Sequence, residues 1–288
     1  MNWLGWTLLS AFCLASADAL TKARLADYSA RELLFVRLTL TGLLTAPLLI
    51  GRSWPELPPA FWGWVVAMVP LEIAAMLLYV RAIRDHPLSQ TLPYLAFTPV
   101  FVTLSGALLL GETVSPRGMG GILLVAAGAW LLNTGNAGAG NWLTPFSALL
   151  RNPGSRMMLG VAAIYSITSV GGKGAMQYLP PELFGPFYFL CVGLILLPIL
   201  GLTTPARLRR VWRRPLPVLG TATLMGGMLL AHFIAIDQVE VAYMIAVKRS
   251  SMLFGILYGA LLFREREAGR HLLAGAIMLG GVILIALA

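Results

Sequence analysis

Residues 82–112, AIRDHPLSQTLPYLAFTPVFVTLSGALLLGE, align without a gap on residues 235–265, AIDQVEVAYMIAVKRSSMLFGILYGALLFRE. Ala82/Ala235, Ile83/Ile236, Phe101/Phe254, Leu104/Leu257, Gly106/Gly259, Ala107/Ala260, Leu108/Leu261, Leu109/Leu262 and Glu112/Glu265 coincide at a constant offset of 153. A very apolar chain of 288 residues that repeats itself at about half its length reads as two like halves, the organisation of many membrane carriers. Positions where the halves differ in charge are then the ones expected to handle a solute. Lys248–Arg249 stands where the first half has Leu95–Ala96.

Composition points the same way. The chain is 58% hydrophobic and 11% charged, with a mean hydropathy of +0.80; a soluble fold carries roughly a quarter charged residues. Apolar runs near the ~20 residues that cross a bilayer fall at 3–23, 31–51, 59–80, 88–110, 117–133, 157–175, 182–202, 216–236, 241–263 and 271–288. The expected fold is therefore an all-α membrane protein of ten transmembrane helices. Residues 1–133 form the first half and 157–288 the second, with 134–156 as the linker. Asn133–Asn141, NTGNAGAGN, is flexible by composition, and Trp142–Leu150 suits a short interfacial helix. Five spans is an odd number, so the second half enters from the opposite side and the repeat is inverted. Asp18 and Lys22 interrupt the first span where a signal-peptide cleavage region would lie, so it reads as retained.

The charge distribution assigns sides. Of 21 Lys and Arg, 14 lie in alternate connections, among them Arg24, Arg31, Arg81, Arg156 and Arg270, whereas the opposite connections hold Arg52 and Arg117. The positive-inside rule makes the rich side cytoplasmic and puts both termini outside, in a bacterial-type inner membrane. The segment 206–214, ARLRRVWRR, suits anionic headgroups with Trp212 at the interface. The net charge of +9 is thus membrane anchoring, not nucleic-acid binding. Cys13 and Cys191 fall in apolar spans as free thiols, and His86, His232 and His271 lack ligand spacing. No metal or cofactor is implied, and no nucleophile–base pair suggests an enzyme. The expected partners are the bilayer and a small molecule.

Several motifs resemble the EamA-type repeat of the drug/metabolite transporter superfamily. Residues 95–132, LAFTPVFVTLSGALLLGETVSPRGMGGILLVAAGAWLL, show its Pro in span four, small-residue run, terminal Gly-Glu and Gly-rich fifth span. YGALLFRERE (258–267) and LLAGAIMLGGVILI (272–285) give the second copy, and DALTK (18–22) and VGGKG (170–174) resemble the family's stretch ending in lysine. The resemblance implies a ten-helix inverted-repeat carrier with alternating access, usually drawn with cytoplasmic termini, against the arginine distribution here. Met252 replaces Pro99 in the second copy, which predicts a straighter span nine. Gly255 and Gly259 form a GxxxG there for close helix approach.

Seven ionisable residues fall inside spans: Asp18, Lys22, Arg37, Glu72, Lys173, Lys248 and Arg249. A charge at mid-bilayer costs ~2.5–3.5 kcal/mol, so each calls for a partner or a wet cavity. Five positive against two negative favours an anionic solute. Lys248–Arg249, about 10 Å into span nine, resembles the Lys-Arg of the phosphate-translocator branch, in which lysines at the places of Lys22 and Lys173 join it around a phosphate. The substrate-binding set is Lys173, Lys248, Arg249, Lys22 and Tyr243; Glu72 and Asp18 are candidates for coupling. Arg37 is expected to pair with Glu72 or Glu32, Asp18 with Lys22, and Glu112 and Glu265 to cap helices or tie loops. The function read from this is a secondary carrier for a small phosphorylated or carboxylated metabolite. An exporter of amino acids or other zwitterions, and a lipid flippase, remain as alternatives.

Overall fold

A computed structural model describes residues 1–86, 92–133, 152–263 and 268–288. Among them every regular element is helical. Helices Trp3–Arg24, Pro59–Asp85, Pro181–Thr203 and Pro215–Asp237, and the composite segment Ala30–Leu49, contain stretches long and apolar enough to cross a membrane. The shorter apolar helices Tyr94–Leu110 and Leu273–Ala286 join them. The 134–151 part of the linker, its expected interfacial helix and Glu265 lie outside the described residues. Among the described residues six helices start on a proline, at Pro59, Pro116, Pro153, Pro181, Pro205 and Pro215. Proline's fixed φ suits the first helical position, where no backbone N–H is needed.

The chain divides into two compact units, each drawing on both halves of the sequence: Met1–Leu77 with Gly171–Val239, and Leu78–Val170 with Glu240–Ala288. In the first unit, α1 (Trp3–Arg24) starts on Asn2, whose side chain accepts from the Gly5 N–H. The second span is composite: α2 (Ala30–Leu34), a π-helix over Phe35–Leu40, α3 (Thr41–Thr45) and a 3-10 turn over Ala46–Leu49. Ser29 and Glu32 form a capping box at its start. The π-turn is supported by the Thr41 hydroxyl, which donates to the Val36 carbonyl five residues back at 3.2 Å. After it come α4 (Pro59–Asp85), α7 (Pro153–Met176), which like α4 contributes to both units, α8 (Pro181–Thr203), α9 (Pro205–Val211) and α10 (Pro215–Asp237).

Close approach in this unit depends on small residues. A Cβ on Gly42 would sit 2.3 Å from the Phe189 carbonyl oxygen, and one on Gly193 3.1 Å from the Thr39 Cα, so α3 and the π-helix lie almost backbone to backbone on α8. Helices α1 and α10 meet where Ser10 Oγ donates to the Met228 carbonyl at 3.0 Å. The basic segment after α8 is pinned to the α1–α2 turn. Arg214 donates to Asp27 at 2.8 Å and to the Arg24 carbonyl, and Arg210 lies 3.6 Å from the Asp27 carboxylate and 3.8 Å from that of buried Glu32.

The second unit holds a 3-10 turn over Leu92–Phe97, α5 (Thr98–Leu110), α6 (Pro116–Asn133), the start of α7, α11 (Val241–Lys248), α12 (Ser251–Phe263) and α13 (Ala268–Ala286). Helices α6 and α13 approach through glycine. A Cβ on Gly281 would be 2.7 Å from the Gly121 carbonyl, and one on Gly128 2.8 Å from that of Ala274. Helix α5 ends on Gly111, whose φ of +68° closes the turn. Glu112 follows, and its carboxylate accepts from the Val241 N–H at 3.0 Å, capping α11 as the sequence suggested.

Two expectations are corrected. Span nine is not a straighter helix: it is divided into α11 and α12 at Arg249–Ser250. There Arg249, Ser250, Met252 and Leu253 N–H groups bond carbonyls three residues back, at 2.9–3.0 Å, which tightens the chain out of α geometry. Two serines after the charged pair favour such a junction, because their hydroxyls compete with helical bonding. In addition, Gly255 does not serve close packing: it is exposed, with nothing within 4 Å of its Cβ position. Its side of α12 has no neighbour at that point, so removal of a side chain there brings no backbone closer.

The contrast is testable by thermal unfolding in detergent. Gly121→Val should destabilise by about 1–3 kcal/mol through overpacking, whereas Gly255→Ala should be neutral. Equal effects would contradict the assignment of the close contact.

Candidate functional site

The interruption of span nine has a counterpart at the same repeat position. The 3-10 turn Leu92–Phe97 precedes α5 at Thr98, and the junction at Arg249–Ser250 precedes α12 at Ser251. Adding the repeat offset of 153 to 98 gives 251. Both interrupted segments lie in the second unit, where α11 packs on α5. Interrupted membrane helices in matching places of two repeats are a strong structural pointer to a transport site, since irregular backbone at membrane depth is tolerated only inside protein or against water.

Charge has been introduced at only one of the two interruptions. Lys248 and Arg249 are partly buried, and Ser250 is 5% exposed. Arg249 Nε and Ser250 Oγ are both buried without a hydrogen-bond partner. The phenols of Tyr79 on α4 and Tyr165 on α7 are the electrostatic neighbours of the Arg249 guanidinium. One turn on, Met252 packs on a buried cluster that includes Tyr94, Leu95 and Met158, against which Phe97, Phe101 and Trp130 also pack. The rings are fixed against one another: Tyr94 meets Trp130 edge-on at 5.5 Å, Phe97 meets Trp130 at 5.2 Å, and Phe97 stacks on Phe101 at 6.4 Å. Tyr94 is also hydrogen-bonded to Ser155. Chemically this is a guanidinium fork with unused donor capacity at a helix junction, beside hydroxyl groups and a rigid apolar wall. Among the described residues no group of three or more His, Cys, Asp or Glu is placed to hold a metal ion.

The other candidates are distributed differently. Lys173, near the end of α7 in the first unit, donates from Nζ to the Val239 carbonyl at 2.7 Å, so it is tied to the chain just after α10. Lys22 is exposed near the end of α1, and Glu72 is half-buried on α4. Tyr243, 6% exposed on α11, is held at the α5–α6 turn: its hydroxyl accepts from the Ser115 N–H at 2.9 Å, lies 3.2 Å from Ser115 Oγ, and its ring covers Gly118. Asp18 forms an ion pair with Arg37 at 2.5 Å; the Arg37 side chain is 5% exposed and also donates to Thr21. The partner of Arg37 on the first span went unnoticed in the sequence reading, which looked for it among Glu72 and Glu32. Tyr79 and Tyr165 were also missed, since nothing in the local sequence separates them from ordinary membrane-helix aromatics.

The Asp18–Arg37 pair has a measurable consequence. Asp18→Asn leaves a buried guanidinium without this carboxylate and should cost about 2 kcal/mol, below the ~3–5 kcal/mol of fully buried pairs because Asp18 is half-exposed. Adding Arg37→Met should recover part of that loss. A double variant as unstable as the sum of the singles would contradict the coupling.

Comparison with known proteins agrees with the fold and motifs. A segment of 71 residues is 32% identical to a protein of Enterobacter sp. strain 638 named probable 4-amino-4-deoxy-L-arabinose-phosphoundecaprenol flippase subunit ArnE, covering 25% of this chain and 66% of that protein. Over 221 residues, or 74% of this chain and 61% of the other, it is 25% identical to an uncharacterized transporter of Methanothermobacter thermautotrophicus. The chain thus spans 66% and 61% of these curated relatives. A crystal structure of a protein 20% identical matches with a TM-score of 0.73, covering 98% of this chain and 96% of that one, which establishes the fold alone. The EamA-like transporter family matches residues 1–134 and 152–287. With its apolar helices and a family match over both halves, the chain belongs to the EamA-like transporter family and is a multi-pass membrane protein.

Proposed function

We propose that the protein is a secondary carrier for a small anionic metabolite, phosphorylated or carboxylated, which it moves by alternating access rather than by chemistry. The observation that carries this is the interruption of span nine at Lys248–Arg249–Ser250, where a buried guanidinium nitrogen and a buried hydroxyl have no hydrogen-bond partner. A buried donor without a partner is costly, and an anion at this junction offsets that cost. Arg249 supplies a planar fork and Lys248 a movable point charge. Lys173 and Lys22 add to the positive imbalance in the first unit, while Tyr243 anchors α11, on which the pair stands. Glu72 and Asp18 are the carboxylates available for coupling; Asp18 would act through its pair with Arg37. The architecture that fits is ten spans in two inverted five-span halves, in a bacterial-type inner membrane with both termini outside.

A second reading is favoured by the similarity to the flippase subunit. In that version the same junction receives the phosphate of a lipid-linked solute. Both readings share an anion at Arg249 and differ in the lipid tail.

Thermal unfolding of the purified protein separates them. A soluble anion at 100 times its dissociation constant should stabilise by ~2.7 kcal/mol, and Arg249→Gln should abolish the shift without lowering the ligand-free midpoint by more than a few degrees. Stabilisation by lipid phosphates alone favours the flippase. A shift produced only by amino acids or cations, indifferent to Arg249→Gln, would sink the anion reading.

A further inference from the structure

The surroundings of Arg249 narrow the class of anion. We infer that the solute carries an apolar, ring-bearing body next to its anionic group, so that an aromatic carboxylate is preferred to a phosphorylated polyol; this rests on the anion reading and deepens it. The phenols of Tyr79 and Tyr165 are electrostatic neighbours of the guanidinium. Met252, one turn further along, packs on the same buried cluster around Tyr94 and Met158 as Tyr79, Tyr165, Phe97, Phe101 and Trp130 do. The side chains packed on it are half-buried, so they present surface instead of being sealed in a core. The wall is also rigid, because Phe97, Phe101 and Trp130 are held by mutual ring contacts of 5.2–6.4 Å.

Such a wall recognises a ring by stacking and by burial of apolar area, and its rigidity limits the ordering cost of binding. A polyol phosphate needs the reverse. Each of its hydroxyls requires a partner once water is removed, and the rings of Phe97 and Phe101 offer none. The first half supports the same division of labour. At the matching junction it places Leu95, Ala96 and Phe97, with no charge, so one interruption supplies the anion contact and the other contributes Phe97 to the apolar wall.

Equilibrium binding to the detergent-purified full chain tests this with three probes: propionate, 3-phenylpropionate and glucose 6-phosphate. The expected result is a Kd for 3-phenylpropionate at least tenfold below those of the other two, with Arg249→Gln weakening it more than tenfold and Arg249→Lys less. Glucose 6-phosphate binding as tightly as 3-phenylpropionate, still dependent on Arg249, would overturn this inference and leave the anion reading standing. Binding of none of the three, or binding indifferent to Arg249→Gln, would overturn both.

Discussion

A membrane helix that stops and restarts inside the bilayer must satisfy its own backbone, because no lipid group will do so. The junction between α11 and α12 satisfies its backbone with a run of bonds to carbonyls three residues back, between Arg249 and Leu253. Much of the second unit is arranged around it. Glu112 caps the N-terminus of α11, Tyr243 fastens the same helix to the turn before α6, and Met252 packs from α12 on the buried cluster around Tyr94 and Met158. The junction is therefore fixed on both sides while its own polar atoms, Arg249 Nε and Ser250 Oγ, are left without partners. On the proposed reading, rigid supports around unsatisfied polar groups would be a pre-organised arrangement, with little further ordering on capture of a ligand.

The two units use one packing device in different places. Within the first, Gly42 and Gly193 let the π-helix and α3 lie against α8; within the second, Gly121, Gly128 and Gly281 let α6 lie against α13. Without a hydrophobic driving force between helices in lipid, such contacts gain their stability from dispersion at short range. The π-helix of the first unit carries one member of an ion pair. It carries Arg37 to Asp18, so the most buried cation of the early spans is neutralised within the protein.

Much of the helical organisation was legible in the residues because hydropathy alone encodes it. Spans expected at 3–23, 182–202 and 216–236 are the helices Trp3–Arg24, Pro181–Thr203 and Pro215–Asp237. The prolines that open helices sharpen these boundaries, a signal the sequence reading did not use. What hydropathy could not encode is the path of the chain within a span. The break at Arg249–Ser250 and the π-turn over Phe35–Leu40 fall inside runs that hydropathy reads as single spans. Substitution of Met252 for proline suggested continuity, yet the junction is formed by the charged pair and its serines. Likewise, GxxxG spacing drew attention to Gly255, while the glycines in close contact were Gly121 and Gly281, identifiable only once the partner helix is known. Lys248–Arg249 was legible because comparison of the halves isolates it. Tyr79 and Tyr165 were not, being far away in sequence and brought to Arg249 by the fold.

The central claim is that the span-nine junction holds the solute's anionic group. A crystal structure with 4-bromophenylpropionate, read from bromine anomalous scattering, tests it most directly. The account predicts a carboxylate within hydrogen-bond distance of Arg249 and a bromine peak against the ring cluster of Tyr79, Tyr165 and Trp130. An ordered ligand elsewhere in the protein, with Arg249 untouched, would contradict it.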